Sequence, residues 1–333
     1  MSKDNVRENK SKIGGQALIE GIMMLGANKG AMACRVPYAT PRELKSKSKK
    51  TDVRQFSKRQ RTVKGFRKLP ADRIDLEVWD ENNGKGAKWY RKVPFVRGPF
   101  NFVMSMAKGY KYMMKSADKQ MTEDEKGTVT DIFMYLGMII GIAMAVGMFF
   151  VLPKYIIGFV NPVKEQIMLR SLMEGIVKIS VFVLFMALTS LMKDMKRTYQ
   201  YHGAEHKTIA CHEARLPLTV KNVRKQTRLH KRCGTSFIFI VLFVGIIVSC
   251  FIPFTVWWQR AVTSIILLPV MVSISYELIR LAGTYDNFFT KILSAPGLAL
   301  QKITTKEPDD SQIEIAIAAI TPCIPEDLED DVW

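Results

Sequence analysis

Residues 132–152 (IFMYLGMIIGIAMAVGMFFVL) run for 21 positions without one charge. At ~1.5 Å of rise per residue, ~20 apolar residues cross the ~30 Å hydrocarbon layer of a bilayer. Three more apolar blocks follow. Residues 171–192 hold only Glu174 and Lys178 as charges, and 234–258 is 25 residues with none. Residues 261–276 are also uncharged, and the pattern continues through Glu277 to 282. Backbone groups in lipid must pair within their own segment, so each block is expected to be helical. The expectation is a mainly α membrane protein with four transmembrane helices over 132–282. The alternative is a set of helices buried in a large soluble core.

Composition narrows the class. The chain has 333 residues, 48% of them hydrophobic, and five scattered Cys. That excludes a wholly disordered chain and a small disulfide scaffold. The formal charge is +18. The excess lies in residues 1–131 and in 193–233, while the loops at 153–170 and 259–260 are poor in Lys and Arg. Positive loops stay inside, so the N-terminus, the 193–233 loop and the C-terminus are expected in the cytoplasm, with the protein in the cell membrane. Trp257 and Trp258 then fall at the outer interface. The first 12 residues are polar, so insertion is expected through an internal helix and not a cleaved signal. The basic stretch 42–68 lacks interleaved aromatics, which argues against nucleic acid and for anionic lipid headgroups.

The remaining organisation follows from local pattern. Residues 1–12 read as a disordered N-terminus and 13–93 as a cytosolic β-containing domain. Within it, 31–37 and 73–79 alternate like strands, the latter with Ile74, Leu76 and Val78 on one face. Residues 94–131 read as an amphipathic or linker helix; 95–112 suits either a helix lying on the bilayer or a core helix. Residues 283–333 form a cytosolic C-terminal segment. In it, 308–320 reads as helix or strand, and 326–333 as a loose acidic tail.

All four histidines lie between 202 and 230. His202, Glu205 and His206 spell H-x-x-E-H, the inverted zincin pattern. On a helix, positions i and i+4 share a face, so two imidazoles can converge on one ion. Glu205 is the candidate catalytic base. For the remaining ligand positions His230, Cys233, Glu213 and Glu277 compete. A carboxylate inside an apolar helix, as Glu277 would be, is costly and marks a functional candidate; an ion pair with Arg280 is the plainer reading. Glu174 and Lys178, at i and i+4, are expected to neutralise each other. Four protein ligands would make a closed structural zinc site, whereas three plus an open position would make a catalytic one.

Several blocks together resemble the YqhQ family of bacterial multi-pass membrane proteins: GGQALIEGIMMLG, YHGAEHKTIACHE, LTVKNVRKQTRLHKRCGTSF, SYELIR and TTKEPDDSQIEIAIAA. They are spread over about 13–320. The resemblance implies a membrane protein and a metal-dependent enzyme, with the metal at His202, Glu205 and His206. It implies no substrate.

The functional expectation is a divalent metal, zinc by donor type, in an integral membrane enzyme that hydrolyses a membrane-proximal lipid or peptide at the cytosolic face. The alternative is a non-enzymatic scaffold or assembly factor with a structural metal. A transporter would need a homo-oligomer, since four spans without inverted halves leave no evident path.

Overall fold

Between Gly14 and Arg35 the chain alternates side chains about two tight reversals, which suits a β-meander. In the computed structural model three strands form there, β1 Gly14–Leu18, β2 Gly21–Leu25 and β3 Lys29–Arg35. A fourth, β4 Ile74–Asp80, pairs with β3. The sheet is antiparallel throughout, in the order β1-β2-β3-β4. The structure describes residues 10–35, 74–81, 90, 93–121, 128–160, 166–285, 287–326 and 331. The basic stretch 42–68 and residues 1–9 lie outside the described residues. Residues 10–12, expected to be loose, are held: Ser11 is buried and its hydroxyl donates to Asp331 at 2.8 Å. The same bond fixes Asp331, within the tail read as loose.

The sheet is covered on both faces, as strand alternation requires. Ile22, Met24, Ala31 and Ala33 point to one side. Leu18, Met23, Met32 and Cys34 point to the other, where they meet α1 (Arg97–Gln120) through Tyr112. Trp79 stacks on Tyr112 with ring centroids 4.3 Å apart. Of the β4 face read from sequence, Ile74 packs against the core, but Leu76 and Val78 are each 45% exposed. β4 is an edge strand, and the helices that cover the sheet are centred on β1 to β3.

α1 serves both roles that its sequence left open. Its second half packs on the sheet. Its first half lies along a later apolar helix, with Gly98 so close that a Cβ would meet Tyr276 Cβ at 2.9 Å. Phe100, which stacks on Tyr90, and Val103 and Met106 are exposed.

The apolar blocks form helices, not all of them continuous. α2 (Thr128–Val146) passes through a π-helical turn (Gly147–Val151) into α3 (Leu152–Gly158). Pro153 lacks an N–H, which accounts for the widened turn before it. Together they give a 27-residue apolar helix, Ile132–Gly158, and α4 (Ile167–Thr189) gives another of 23. α5 (Lys193–Glu213) and the short α6 (Val220–Arg224) are polar. The block 234–258 does not form one helix: α7 (Gly234–Ser249) stops after 16 residues, and Pro253 follows in the turn. α8 (Trp257–Ile266) and α9 (Leu268–Thr284) are bent by 54° at a break next to Pro269. Two helices are therefore long and apolar enough to cross a membrane, or three if α8 and α9 count as one span. α10 (Phe288–Thr304) and α11 (Asp310–Ile320) complete the described helices. At 308–320 the ambiguity is settled by a capping box, in which Asp309 and Gln312 bond reciprocally to each other's backbone. α5 and α11 cover the Ile22 face of the sheet, supplying Tyr201, Ala204, Ile209, Ile315, Ala316, Ala319 and Ile320.

Candidate metal centre

α5 carries the histidine motif and is placed by the β1–β2 hairpin. Glu20, in the turn, has φ 50°, an uncommon value for a residue with a Cβ. Its carboxylate accepts from Arg197 Nη2 at 2.7 Å and from the Tyr201 hydroxyl at 3.1 Å. The hairpin thus grips α5 one residue before His202.

Helical spacing puts His202 and His206 side by side, with ring centroids 4.4 Å apart. Cys233 arrives from the N-cap of α7, where its sulfur accepts from the Thr235 N–H. The ligand atoms offered by His202, His206 and Cys233 all lie within 4.8 Å of one another. Both rings are oriented by backbone carbonyls: His202 Nδ1 faces Thr304 O at 2.9 Å and His206 Nδ1 faces Arg228 O at 2.6 Å. A ring that donates from Nδ1 leaves Nε2 with a lone pair. His202 Nε2 lies 3.2 Å from Cys233 Sγ. Burial disfavours a charged thiol, but the facing imidazoles His202 and His206 outweigh it and hold Cys233 well below its ordinary pKa. Burial likewise opposes charge on His202, yet Cys233 and Glu205 hold its pKa up at about 9. A thiolate and two imidazoles with oriented outer nitrogens form a donor set that fits zinc.

Glu205 projects from the same helix toward the sheet. It is 4% exposed, and its Oε2 lacks a hydrogen-bond partner among the described residues. Burial lifts its pKa, against the facing histidines and the Gly15 N–H. Gly203, between the two motif residues, lets α5 approach the chain after α10: a Cβ there would lie 2.0 Å from Lys306 O.

The other candidates are placed elsewhere. His230 lies near, with its ring centroid 5.6 Å from that of His206, but its Nε2 faces Glu213 Oε2 at 3.5 Å. Glu213 is further engaged by Arg232 and by the Ser11 N–H at 2.9 Å. Glu277 is drawn away from the group altogether. It receives both a side-chain pair from Arg97, at 2.8 Å from Nε, and the Phe95 N–H at 3.1 Å. Its partner is thus Arg97 of α1, not Arg280, because α1 lies along α9. The carbonyls of Thr304 and Arg228 had no signal in sequence, since any residue supplies a carbonyl.

Fold and centre together define a mainly helical protein in which a sheet-buttressed His–His–Cys group sits where polar helices meet apolar ones. The chain belongs to the family described as "Protein of unknown function (DUF1385)", whose profile matches residues 93–326. It is 35% identical over 244 residues to "Uncharacterized protein YqhQ" of Bacillus subtilis (strain 168), an alignment covering 68% of this chain and 76% of the relative. The YqhQ resemblance read from sequence motifs is therefore a family relationship. No solved structure matches. The matched region holds His202, Glu205, His206 and Cys233 but begins after the four strands.

Proposed function

We propose that this chain is a metal-dependent hydrolase of the cell membrane, with His202, His206 and Cys233 holding one divalent ion, zinc by donor type. One observation carries the reading: each imidazole spends Nδ1 on a backbone carbonyl, and the ligand atoms of both rings share a small space with the Cys233 sulfur. A bound ion would act as a Lewis acid and make water acidic enough to ionise near neutral pH. Glu205 is the proton-accepting carboxylate, held dry by the Gly15 strand beside it. In this reading four segments cross the bilayer: α2 with α3, α4, α7, and bent α8 with α9. Charge bias puts the termini and the centre on the cytosolic side, with anionic headgroups facing the basic loops. Cys233 precedes the first residue of an apolar helix, so the substrate is a lipid or peptide at the membrane surface.

Metal analysis of the full-length protein, purified in detergent, tests this. About one equivalent is expected in the wild type and none in the His202→Ala/His206→Ala variant. A wild type free of metal overturns the reading. The enclosure of the group favours a second reading, a scaffold with a structural metal: His206 is 1% and Cys233 8% exposed. Glu205→Gln separates the two, as set out below.

A further inference from the structure

A second polar cluster lies at the other end of the apolar helices. Cys233 precedes α7 and Ser249 ends it; 16 residues at ~1.5 Å each separate the two ends by ~24 Å. Near the Ser249 carbonyl, five ionisable side chains are packed away from solvent. Lys154, Arg170 and Arg260 are 0% exposed, Glu174 2% and Lys178 7%. Glu174 Oε1 accepts from Arg170 Nε at 3.0 Å and from Arg260 Nε at 2.9 Å. Arg260 spends its other nitrogens on the Ser171 hydroxyl and on the carbonyls of Ser249, Ile252 and Phe254. Arg170 Nη1 donates to Thr255 O.

Two donors remain. Among the described residues Arg170 Nη2 and Lys154 Nζ have no hydrogen-bond partner, and Lys154 Nζ stands 3.9 Å from Glu174 Oε2. Lys178, expected to neutralise Glu174, still feels that carboxylate's charge, but its Nζ lies over Phe150, 5.2 Å from the ring centroid. Among the described residues, four basic side chains therefore stand around one carboxylate, and the two guanidiniums alone outnumber it. Buried charge without counter-charge is strongly unfavourable, and most of all in lipid. An anion joining the cluster would remove the excess and satisfy both open donors.

The position indicates which anion. Lys154 lies four residues before the end of α3, and Arg170 is the fourth residue of α4, so they sit ~6 Å and ~4.5 Å inside the helix ends. At the same end Tyr155 packs edge-on against Phe159 and Trp257, with centroids 4.8 and 5.4 Å apart. Phe159 and Trp258 are more than half exposed there. Aromatic rings of this kind collect at the headgroup level of a bilayer. Guanidinium and ammonium together suit phosphate oxygens. The cavity of about 30 Å³ beside Lys178, lined by Phe149, Phe150 and Met271, has room for about one water and is too small for a phosphate.

We propose that Lys154 and Arg170, backed by Arg260, form a binding site for a phosphate group, supplied by an anionic phospholipid headgroup lodged against α3 and α4. Inorganic phosphate has the same chemistry, and the test separates the two sources. The site depends on these helices lying in a bilayer and not on the metal reading. Recovery of the protein in the membrane fraction of cells checks that dependence by itself.

Full-length protein in a neutral detergent is melted alone and with phosphatidylglycerol, phosphatidylcholine or inorganic phosphate. Phosphatidylglycerol is expected to raise Tm by several degrees and phosphatidylcholine to do much less. Lys154→Met, which removes an unpartnered buried ammonium, is expected to raise the Tm in detergent alone and to lose the further rise with phosphatidylglycerol. A full rise with inorganic phosphate, also lost in Lys154→Met, supports the site and assigns it to the free anion. No rise with any addition, an equal rise with phosphatidylcholine, or an undiminished rise in Lys154→Met overturns it. If Lys154→Met does not yield folded protein, Arg170→Gln is expected to start from a lower Tm, since it gives up the Glu174 bond, and likewise to show no rise with phosphatidylglycerol.

Discussion

His202 and Cys233 are 31 positions apart in the chain, yet Nε2 of one lies 3.2 Å from Sγ of the other. The contact joins the middle of a polar helix to the cap of an apolar one. It needs both the hairpin grip on α5 and the start of α7 at Gly234, because neither residue reaches the other from its own element.

Glu205→Gln is expected to keep the metal and abolish the cellular function, because the amide preserves the shape while removing the proton acceptor. The measurement is metal content beside complementation of a deletion strain. Retained metal with unchanged complementation would turn the choice to the structural-metal scaffold.

Gly203→Ala is expected to be disruptive although it lies in a helix, where Ala is normally the better residue. Its Cβ would meet Lys306 O at 2.0 Å, and Lys306 N–H is itself bonded to Tyr199 O at 2.8 Å. The overpacking should cost ~1–3 kcal/mol. Since Thr304 O orients His202, bound metal should fall with it. Thermal melting and metal analysis read the two effects; an unchanged Tm would show that the close approach is relieved cheaply.

Arg97→Gln and Glu277→Gln are each expected to loosen α1 from α9. Loss of charged hydrogen bonds of this kind costs ~1.5–3 kcal/mol. Metal content should be unaffected in both, because Glu277 stands outside the His–His–Cys group. Metal loss in Glu277→Gln alone would return it to the ligand set.

Burial pushes the thiols of Cys34 and Cys323 from 9.0 up to about 12. Each contributes stability in full below pH 9. As pH rises from 9 toward 12, the unfolded chain releases protons that the folded chain keeps, so stability falls. Iodoacetamide at pH 9 should label neither residue in the folded protein and both in denaturant, as read by peptide mass spectrometry. A Cys34→Ala/Cys323→Ala variant should lose stability less steeply over this range. Labelling of Cys34 in the folded protein would contradict its place between the sheet and Tyr112.

Much of the local structure could be read directly. Long uncharged runs announced apolar helices, and H-x-x-E-H at helical spacing put His202 and His206 on one face. The alternation at 73–79 announced β4. Where alternatives stayed open, as at 308–320, a single reciprocal cap at Asp309 and Gln312 decided for helix. The prolines at 253 and 269 carried a signal of broken helices that hydropathy alone overrode.

Partners were another matter. The sequence offers Glu174 a partner one turn on, Lys178; its hydrogen bonds go to Arg170, one turn back, and to Arg260, 86 positions away. Glu277 was assigned to Arg280 or to the metal, and it pairs with Arg97, 180 positions earlier. Periodicity determines which side chains share a face, because that depends only on a few neighbouring dihedrals. Which faces then meet depends on packing summed over the whole chain, so Cys233 at the histidines and Lys154 and Arg260 beside Glu174 were decided by tertiary structure.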